Sequence, residues 1–232
     1  MSSALPESIA FELFGDRVIF TFASRHSTLI TIPPGSAWEP GAHWHESYVE
    51  NVRVVKGRAW VSVNGVVKEI GPGEGSVRFE LRDVHTFGRA DRGRKSEDSD
   101  HEEEDVVLEE WTEPDDGFKQ VFFYNLLRIA QTATANSSLF RPSTILQLVR
   151  VIAHVDNYAD LLPFLTAYWW LPFSLKYALV HAVYGFGSAL GWAFGYQKWL
   201  KEYTPRDLWS VAERGAVTKR GREEGGGGRK DL

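Results

Sequence analysis

The sequence has 232 residues, of which 43% are apolar and 25% charged, the proportions of an ordinary soluble globular protein. Its net charge of −5 gives no general basic field, so we expect no nucleic-acid partner. It contains no cysteine, which excludes disulfides and thiolate ligands, so any bound metal must be held by His, Asp or Glu.

The amino-terminal stretch has no basic start followed by an apolar core, so it does not resemble a secretory signal and predicts a cytoplasmic protein. From Ile9 to Ile32 the apolar residues form short runs, IAFELF, RVIFTF and STLITI, rich in β-branched and aromatic types. Gly15-Asp16 and Ser24-Arg25-His26 separate these runs. The pattern predicts strands joined by turns.

A chelating pattern follows at His43 and His45. Successive side chains of a strand alternate faces, so these two imidazoles share one side and can bind one ion. Glu50 has the wrong parity on a straight strand and needs a bend over residues 46–49 to join them. Two imidazoles and a carboxylate can hold iron(II) or a similar divalent ion, although a His pair of this kind can also be ordinary surface chemistry.

The next segment repeats the strand pattern with NVRVV, RAWVSV and VVKEI, the last two separated by Asn64-Gly65, a dipeptide that favours a tight hairpin. Such spacing indicates an all-β sandwich or barrel, a plausible container for a small-molecule substrate. We expect the inward face of these strands to form the substrate pocket, with core packing the more common role of each such residue. Its predicted members are Val52, Val54, Trp60 and Phe79.

A run of charges from Arg89 to Asp105 turns from basic to acidic and has almost no apolar residue to bury. It predicts a disordered surface loop that interrupts the barrel.

The residues from His43 to Gly57 resemble the first signature of the cupin superfamily: HxH, four residues, Glu, six residues, Gly. Gly71 to Gly88 resembles the second signature, which implies that His85 is a fourth ligand. This sequence differs from the family pattern at two points. Gly35 lies further before the first histidine than the family's glycine does, and the run Glu80–Asp83 stands where the family has a proline. The resemblance implies a mainly β, double-stranded β-helix (jelly-roll) barrel with His43, His45, Glu50 and His85 around a divalent ion such as Fe, Mn, Zn or Ni.

A narrower resemblance joins the chain to cupins of fungal secondary metabolism, through EEWTEPDDGFKQVFFYNLL, Asp156-Asn157-Tyr158, Tyr168–Pro172 and Glu202–Pro205. This resemblance implies a step in making a natural product. Cupins with this ligand set include dioxygenases, decarboxylases and isomerases. Glu46, beside the chelating pair, is our candidate catalytic base or supporting partner, although such a residue is more often simply exposed.

From Pro142 onward the period becomes helical, with Ile145, Leu148, Val149 and Ile152 on one face. Residues 161–199 are unusually apolar and aromatic, and we expect a helical layer on the barrel, with a peripheral or inserted membrane helix as the alternative. The glycines at 185, 187, 191 and 195 permit close helix packing in either case.

We therefore predict a cupin barrel over residues 1–125, a helical extension over 126–205 and a disordered tail over 206–232. The first functional hypothesis is a metal-dependent biosynthetic enzyme acting on a small apolar, oxygenated metabolite. The second is a metal-free cupin that binds a metabolite and directs its cyclisation or isomerisation, or merely carries it. The third is a membrane-associated accessory protein. The oligomeric state stays open, with a homodimer among the options.

Overall fold

The structure is a computed structural model, which describes residues 7–13, 15–22, 24–91, 104–160 and 173–215. Eleven strands and four α-helices lie in these ranges. The strands are β1 (Glu7–Leu13), β2 (Asp16–Phe22), β3 (Thr28–Ile32), β4 (His43–Trp44), β5 (Val49–Lys56), β6 (Ala59–Val63), β7 (Val66–Ile70), β8 (Ser76–Phe79), β9 (His85–Arg89), β10 (Val106–Glu113) and β11 (Tyr158–Ala159). The helices are α1 (Phe118–Ala135), α2 (Pro142–His154), α3 (Phe173–Ala193) and α4 (Trp209–Arg214), the last preceded by a 3-10 turn over Arg206–Leu208.

The strands form two antiparallel sheets, one in the order β1-β2-β3-β10-β5-β8 and the other in the order β11-β4-β9-β6-β7. More and less buried side chains alternate along β2, β3 and β10, and residues of both sheets pack in one apolar cluster. The predicted mainly β, cupin-type jelly roll with a helical extension is confirmed.

The hairpin predicted at Asn64-Gly65 joins β6 to β7, with Val63 opposite Val66. Both turn residues have positive φ, 51° and 82°, as a tight hairpin turn requires. Gly57, the last residue of the first signature, has a φ of 74° and lies so close to β10 that an added Cβ would be 3.0 Å from Val106 Cγ2. A side chain there would strain the turn and push β10 away from β5.

The helices complete the core of the barrel. Phe118, Val121 and Phe122 of α1 pack in the same cluster as the strand residues, as do Val155, Trp199, Leu208 and Ala212 further along the chain. The predicted boundary between residues 125 and 126 therefore falls inside α1. The tail predicted from residue 206 is wrong as far as residue 215, because Leu208 and Ala212 are buried. Residues 216–232 lie outside the described residues.

The apolar stretch 161–199 is described from Phe173 onward, and its first twelve residues lie outside the described residues. α3 packs along α2, where a Cβ added at Gly187 would be 2.8 Å from Val149 Cγ1 and one at Gly191 would be 2.6 Å from Arg150 Cγ. Val180 and Tyr184 bury Trp44 of the barrel. Within the described ranges, no helix has the length and apolar character needed to cross a membrane.

The structure differs from the predicted charged loop, Arg89 to Asp105, at the first residue, because Arg89 belongs to β9. Arg89 ends β9 with only 4% of its side chain exposed, and its guanidinium donates hydrogen bonds to Asp91 and to the carbonyl oxygens of Ile32 and Glu104. It therefore ties the two ends of the loop to the barrel. Residues 92–103 lie outside the described residues.

Candidate metal centre

Four side chains meet inside the barrel: His43, His45, Glu50 and His85. Each offers one ligand atom, these atoms all lie within 4.8 Å of one another, and all four residues are buried. His43 on β4 is directly opposite His85 on β9, and bends at Glu46 and Ser47 turn the chain so that Glu50 at the start of β5 faces the histidines. The bend that the parity of Glu50 required is therefore present.

All three imidazoles are oriented by backbone carbonyls. The Nδ1–H groups donate to the carbonyl oxygens of Gly41 (from His43, 2.9 Å), Asp156 (from His45, 2.7 Å) and Asp83 (from His85, 2.8 Å). Because a carbonyl oxygen can only accept, each Nδ1 carries a proton, and Nε2 is the ring nitrogen left to bind a metal ion. This is the arrangement that orients metal-binding histidines in proteins.

Burial keeps two of these rings neutral. It lowers the pKa of His43 well below its usual value, with the neighbouring ring of His85 adding to the effect, and it also lowers the pKa of His45. Burial alone would raise the pKa of Glu50, but the Lys119 ammonium and the His85 ring outweigh it and hold that pKa well below the usual range. Burial therefore favours the neutral form of His43 and His45, beside an ionised Glu50 carboxylate.

The Nε2 atoms of His45 and His85 face the Glu50 carboxylate, and the His45 contact is short enough for a hydrogen bond. His45 Nε2 lies 2.9 Å from Glu50 Oε2, and His85 Nε2 lies 3.3 Å from Glu50 Oε1. Glu50 Oε1 and His85 Nε2 are among the buried polar atoms that make no hydrogen bond. Leaving such atoms unsatisfied is costly, and a cation between them removes that cost. Two ligands on opposite sides of a divalent ion lie about 4.2 Å apart, so the cluster needs only a slight contraction to bind one. The four residues fit a divalent ion.

A second buried group contacts the cluster and was missed by the sequence analysis. The Lys119 ammonium, on the first turn of α1, donates to Glu50 Oε2 at 2.6 Å and to Glu110 Oε1 at 2.5 Å. The two carboxylates raise the pKa of Lys119 against the opposing effect of burial, whereas burial and the charge of Glu50 raise the pKa of Glu110 to about 8.

The sequence does carry a signal for Glu110, which has the same parity as the buried residues Val106 and Leu108 of β10. No comparable signal marks Lys119, because its burial depends on how α1 closes the end of the barrel.

A narrow cavity opens beside this group. It is lined by His45 and Lys119 on the side of the cluster, and elsewhere by Tyr48, Thr112, Phe118, Phe122, Val155 and Asn157. Its lining combines aromatic and aliphatic side chains with a few polar ones, and its volume of about 10 Å³ has room for about one water molecule.

The predicted pocket residues do not line this cavity. Val52 and Val54 are buried in the core, and Phe79 stacks on the ring of His85 at 4.1 Å between centroids. Phe79 is therefore buried against the His85 ring. The prediction for Trp60 is wrong, because its parity on β6 is opposite to that of buried Ala59 and Val61. Its indole covers Gly88, where an added Cβ would be 2.9 Å from Nε1.

Glu46, the predicted catalytic residue, does not belong to the cluster. Its carboxylate forms an ion-pair contact with His181 of α3, 2.6 Å away, because it follows His45 and leaves the chain on the other side. Its backbone N–H, like that of Ser47, donates to the Asp156 carboxylate. Glu46 therefore contributes to the contact between the barrel and α3.

Comparisons with known proteins match the fold of the barrel only. No family model and no curated protein matches the sequence. Among solved structures, the chain is similar to a cupin 2 conserved barrel domain protein of Rhodopseudomonas palustris (13% identity, 46% of this chain and 70% of that one, TM-score 0.34). It is also similar to a predicted oxalate decarboxylase of Thermotoga maritima (17%, 47% and 92%, 0.35) and to the capsular polysaccharide assembling protein CapF of Staphylococcus aureus (15%, 46% and 30%, 0.34). The chain spans less than a third of the Staphylococcus protein.

The strand order, the shared core between two antiparallel sheets and the helices packed on them together define the architecture. The chain has a mainly β, cupin-type fold with a helical extension, and a buried His/Glu cluster lies within its barrel.

Proposed function

We propose that this chain is a metal-dependent cupin enzyme that acts on a small apolar, oxygenated intermediate of natural-product biosynthesis. One observation carries the proposal. Three imidazoles donate Nδ1–H to backbone carbonyls, and one ligand atom from each of them and one from the buried, ionised Glu50 carboxylate lie within 4.8 Å of one another. Glu50 Oε1 and His85 Nε2 make no hydrogen bond there, and a divalent ion would bind both atoms.

The surroundings support a substrate of mixed character. The cavity beside His45 has a volume of about 10 Å³, room for about one water molecule, so a substrate would bind only if Phe118 or Phe122 moved. These two residues and Val155 would then contact an apolar body, and Thr112, Lys119 and Asn157 an oxygen atom. A bound divalent ion would polarise a carbonyl, acidify water or activate oxygen. Lys119 would hold a negatively charged oxygen of the substrate near Glu50, and the aromatic walls would exclude water.

The resemblance of residues 109–127 and of the later motifs to fungal biosynthetic cupins supports oxygenation, decarboxylation or isomerisation of a natural product. Deleting the gene in its host should lead to accumulation of an apolar, oxygenated metabolite, and the structure of that metabolite would identify the substrate.

Metal analysis of protein purified without a polyhistidine tag tests the proposal. We expect about one equivalent of iron, manganese, zinc or nickel, and a loss of at least about tenfold in metal content for His43→Ala. His26→Ala is the matched control, because His26 is an exposed histidine bound to Asp115 far from the cluster and should leave the metal content unchanged. Protein that stays empty after incubation with each of the four ions would overturn the proposal.

One observation favours a second candidate, a metal-free cupin that binds a metabolite and directs its rearrangement by shape. The Lys119 ammonium already neutralises one carboxylate of the cluster, and Glu110, with its pKa near 8, can remain protonated. A protein without metal that still binds its metabolite in the same cavity would support this candidate.

A further inference from the structure

The outward face of α3 is apolar and exposed along its length. Phe186 and Trp192 are each 71% exposed, and Leu175, Leu179, Val183 and Leu190 are between 36% and 52% exposed. Small exposed residues at Ala178, Ala182, Ala189 and Ala193 fill the spaces between them. A contiguous apolar patch of this kind on a folded domain marks an interaction surface.

The inner face of α3 is already occupied. Val180 and Tyr184 are buried against Trp44, and Gly187 and Gly191 allow the close approach of α2. The outward face thus projects from the helical extension on the side away from α2.

Large and small residues of this face are arranged so that the helix can pair with a second, antiparallel copy of itself. Positions 175, 179, 182, 186, 189 and 193 are spaced alternately by four and three, which places them in one seam of a helix pair. If a second copy of α3 lies antiparallel, crossing at the level of Tyr184, each large residue meets a small one. Leu175 is opposite Ala193, Leu179 is opposite Ala189, and Phe186 is opposite Ala182. Beside the seam, Trp192 meets Ala178 of the partner subunit, so a large residue again lies opposite a small one.

We propose that this face is a homodimer interface in which two α3 helices pack antiparallel about a twofold axis near Tyr184. A twofold interface must be complementary to itself, and this face has that property at every position of the seam.

Charge and area also suit a second copy. No acidic residue lies on the face, so two chains of net charge −5 meet here without local repulsion. At one edge of the seam, Lys176 would lie near Leu190 of the partner subunit, so the only charged side chain of the face is at its end. The exposed large side chains together offer roughly 800 Å², about the area that each partner contributes to a standard interface.

Cross-linking tests the proposed register directly, because the chain has no cysteine of its own. In Leu179→Cys/Ala189→Cys, each cysteine would face its counterpart on the other copy, and oxidation should give a covalent dimer in high yield. The two positions are about 15 Å apart along one helix, too far for a disulfide within a chain. The single variants Leu179→Cys and Ala189→Cys are the controls and should not cross-link. Efficient cross-linking of either single variant would indicate a different register and overturn the proposal.

Sedimentation of the full chain tests the dimer itself. We expect a dimer, and an increase of at least about thirtyfold in its dissociation constant for Phe186→Glu, because a central aromatic residue dominates such interfaces. Val67→Glu, at a residue 62% exposed on β7, is the control and should leave the dimer intact.

The exchange Ala182→Phe/Phe186→Ala should restore the dimer that each single change weakens, because it keeps a large residue opposite a small one. A wild-type monomer overturns the proposal. So does a monomer that binds neutral phosphatidylcholine vesicles through this face, since that result would assign the face to a lipid surface.

Discussion

At the scale of single residues, the sequence predicts the ligands and leaves out their counterion. The positions of His43, His45 and Glu50 follow from strand parity and a bend, and His85 from the family resemblance. Lys119 could not be predicted, because a lysine on an amphipathic helix is normally exposed. Here it is buried, since α1 closes the barrel above Glu50 and both carboxylates accept from its ammonium.

Replacing Lys119 with methionine should tighten metal binding. The ammonium lies 2.6 Å from a ligand oxygen, and in a partly dry site it repels a divalent ion by several kcal/mol. We expect Lys119→Met to lower the dissociation constant for zinc at least about tenfold in competition with a chelator, or about 1.4 kcal/mol. Lys201→Met, at an exposed lysine over Trp209, should leave it unchanged. Weaker binding in Lys119→Met would mean that the ammonium positions Glu50.

The buried histidines should make the metal-free protein sensitive to acid. The pKa values of His43 and His45 are lowered by burial, so both rings gain protons more readily in the unfolded chain. Their contribution to stability is therefore complete above about pH 6.5 and declines as the pH falls below that value. Each ring contributes a slope of up to about 1.4 kcal/mol per pH unit. Urea titrations between pH 7.5 and 5 with a chelator present should show this decline, and His43→Gln should reduce the slope. A free energy of unfolding that stays constant between pH 7.5 and 5 would contradict the predicted decline.

At the scale of elements, the strands of the barrel were predicted from their periodicity, and the connection after α2 was not. Residues 156–159 carried a family motif without evident chemistry. In the structure β11 pairs with β4, and Asp156 receives hydrogen bonds from the bend that follows His45. Contacts between residues more than a hundred positions apart leave no periodic signal, so only the folded chain reveals this role.

Asp156→Ala should loosen the bend and weaken the metal centre together. The change leaves the N–H groups of Glu46 and Ser47 without their acceptor, and it places alanine at a φ of 58°. We expect the free energy of unfolding to fall by about 1–3 kcal/mol and metal affinity to fall about tenfold or more. Asp156→Asn keeps an acceptor oxygen and tolerates positive φ, so its loss should be smaller by both denaturation and metal titration. Equal losses in the two variants would show that charge, and not the acceptor, matters.

At the scale of the whole molecule, the sequence suggested a barrel with an appendage, whereas the larger of the two apolar clusters in the described residues includes both strands and helices. The sequence shows a change from strand to helical period only from Pro142 onward. A change of period does not reveal whether the two parts bury each other. The core cluster includes Leu127, Val155 and Trp199 together with Val52 and Leu108 of the strands, so the helices are part of the barrel's interior.

A chain that ends at residue 125 should therefore fail to fold cooperatively. It would remove half of α1 and expose Phe118, Val121 and Phe122, which pack against later residues of the same cluster. We expect no thermal transition, loss of near-ultraviolet circular dichroism, and aggregation, since each large core residue contributes about 2–5 kcal/mol. A chain that ends at Gly215 keeps every described contact, so its melting temperature should equal that of the full chain. A sharp transition in the 125-residue chain would show that the barrel is an independent domain.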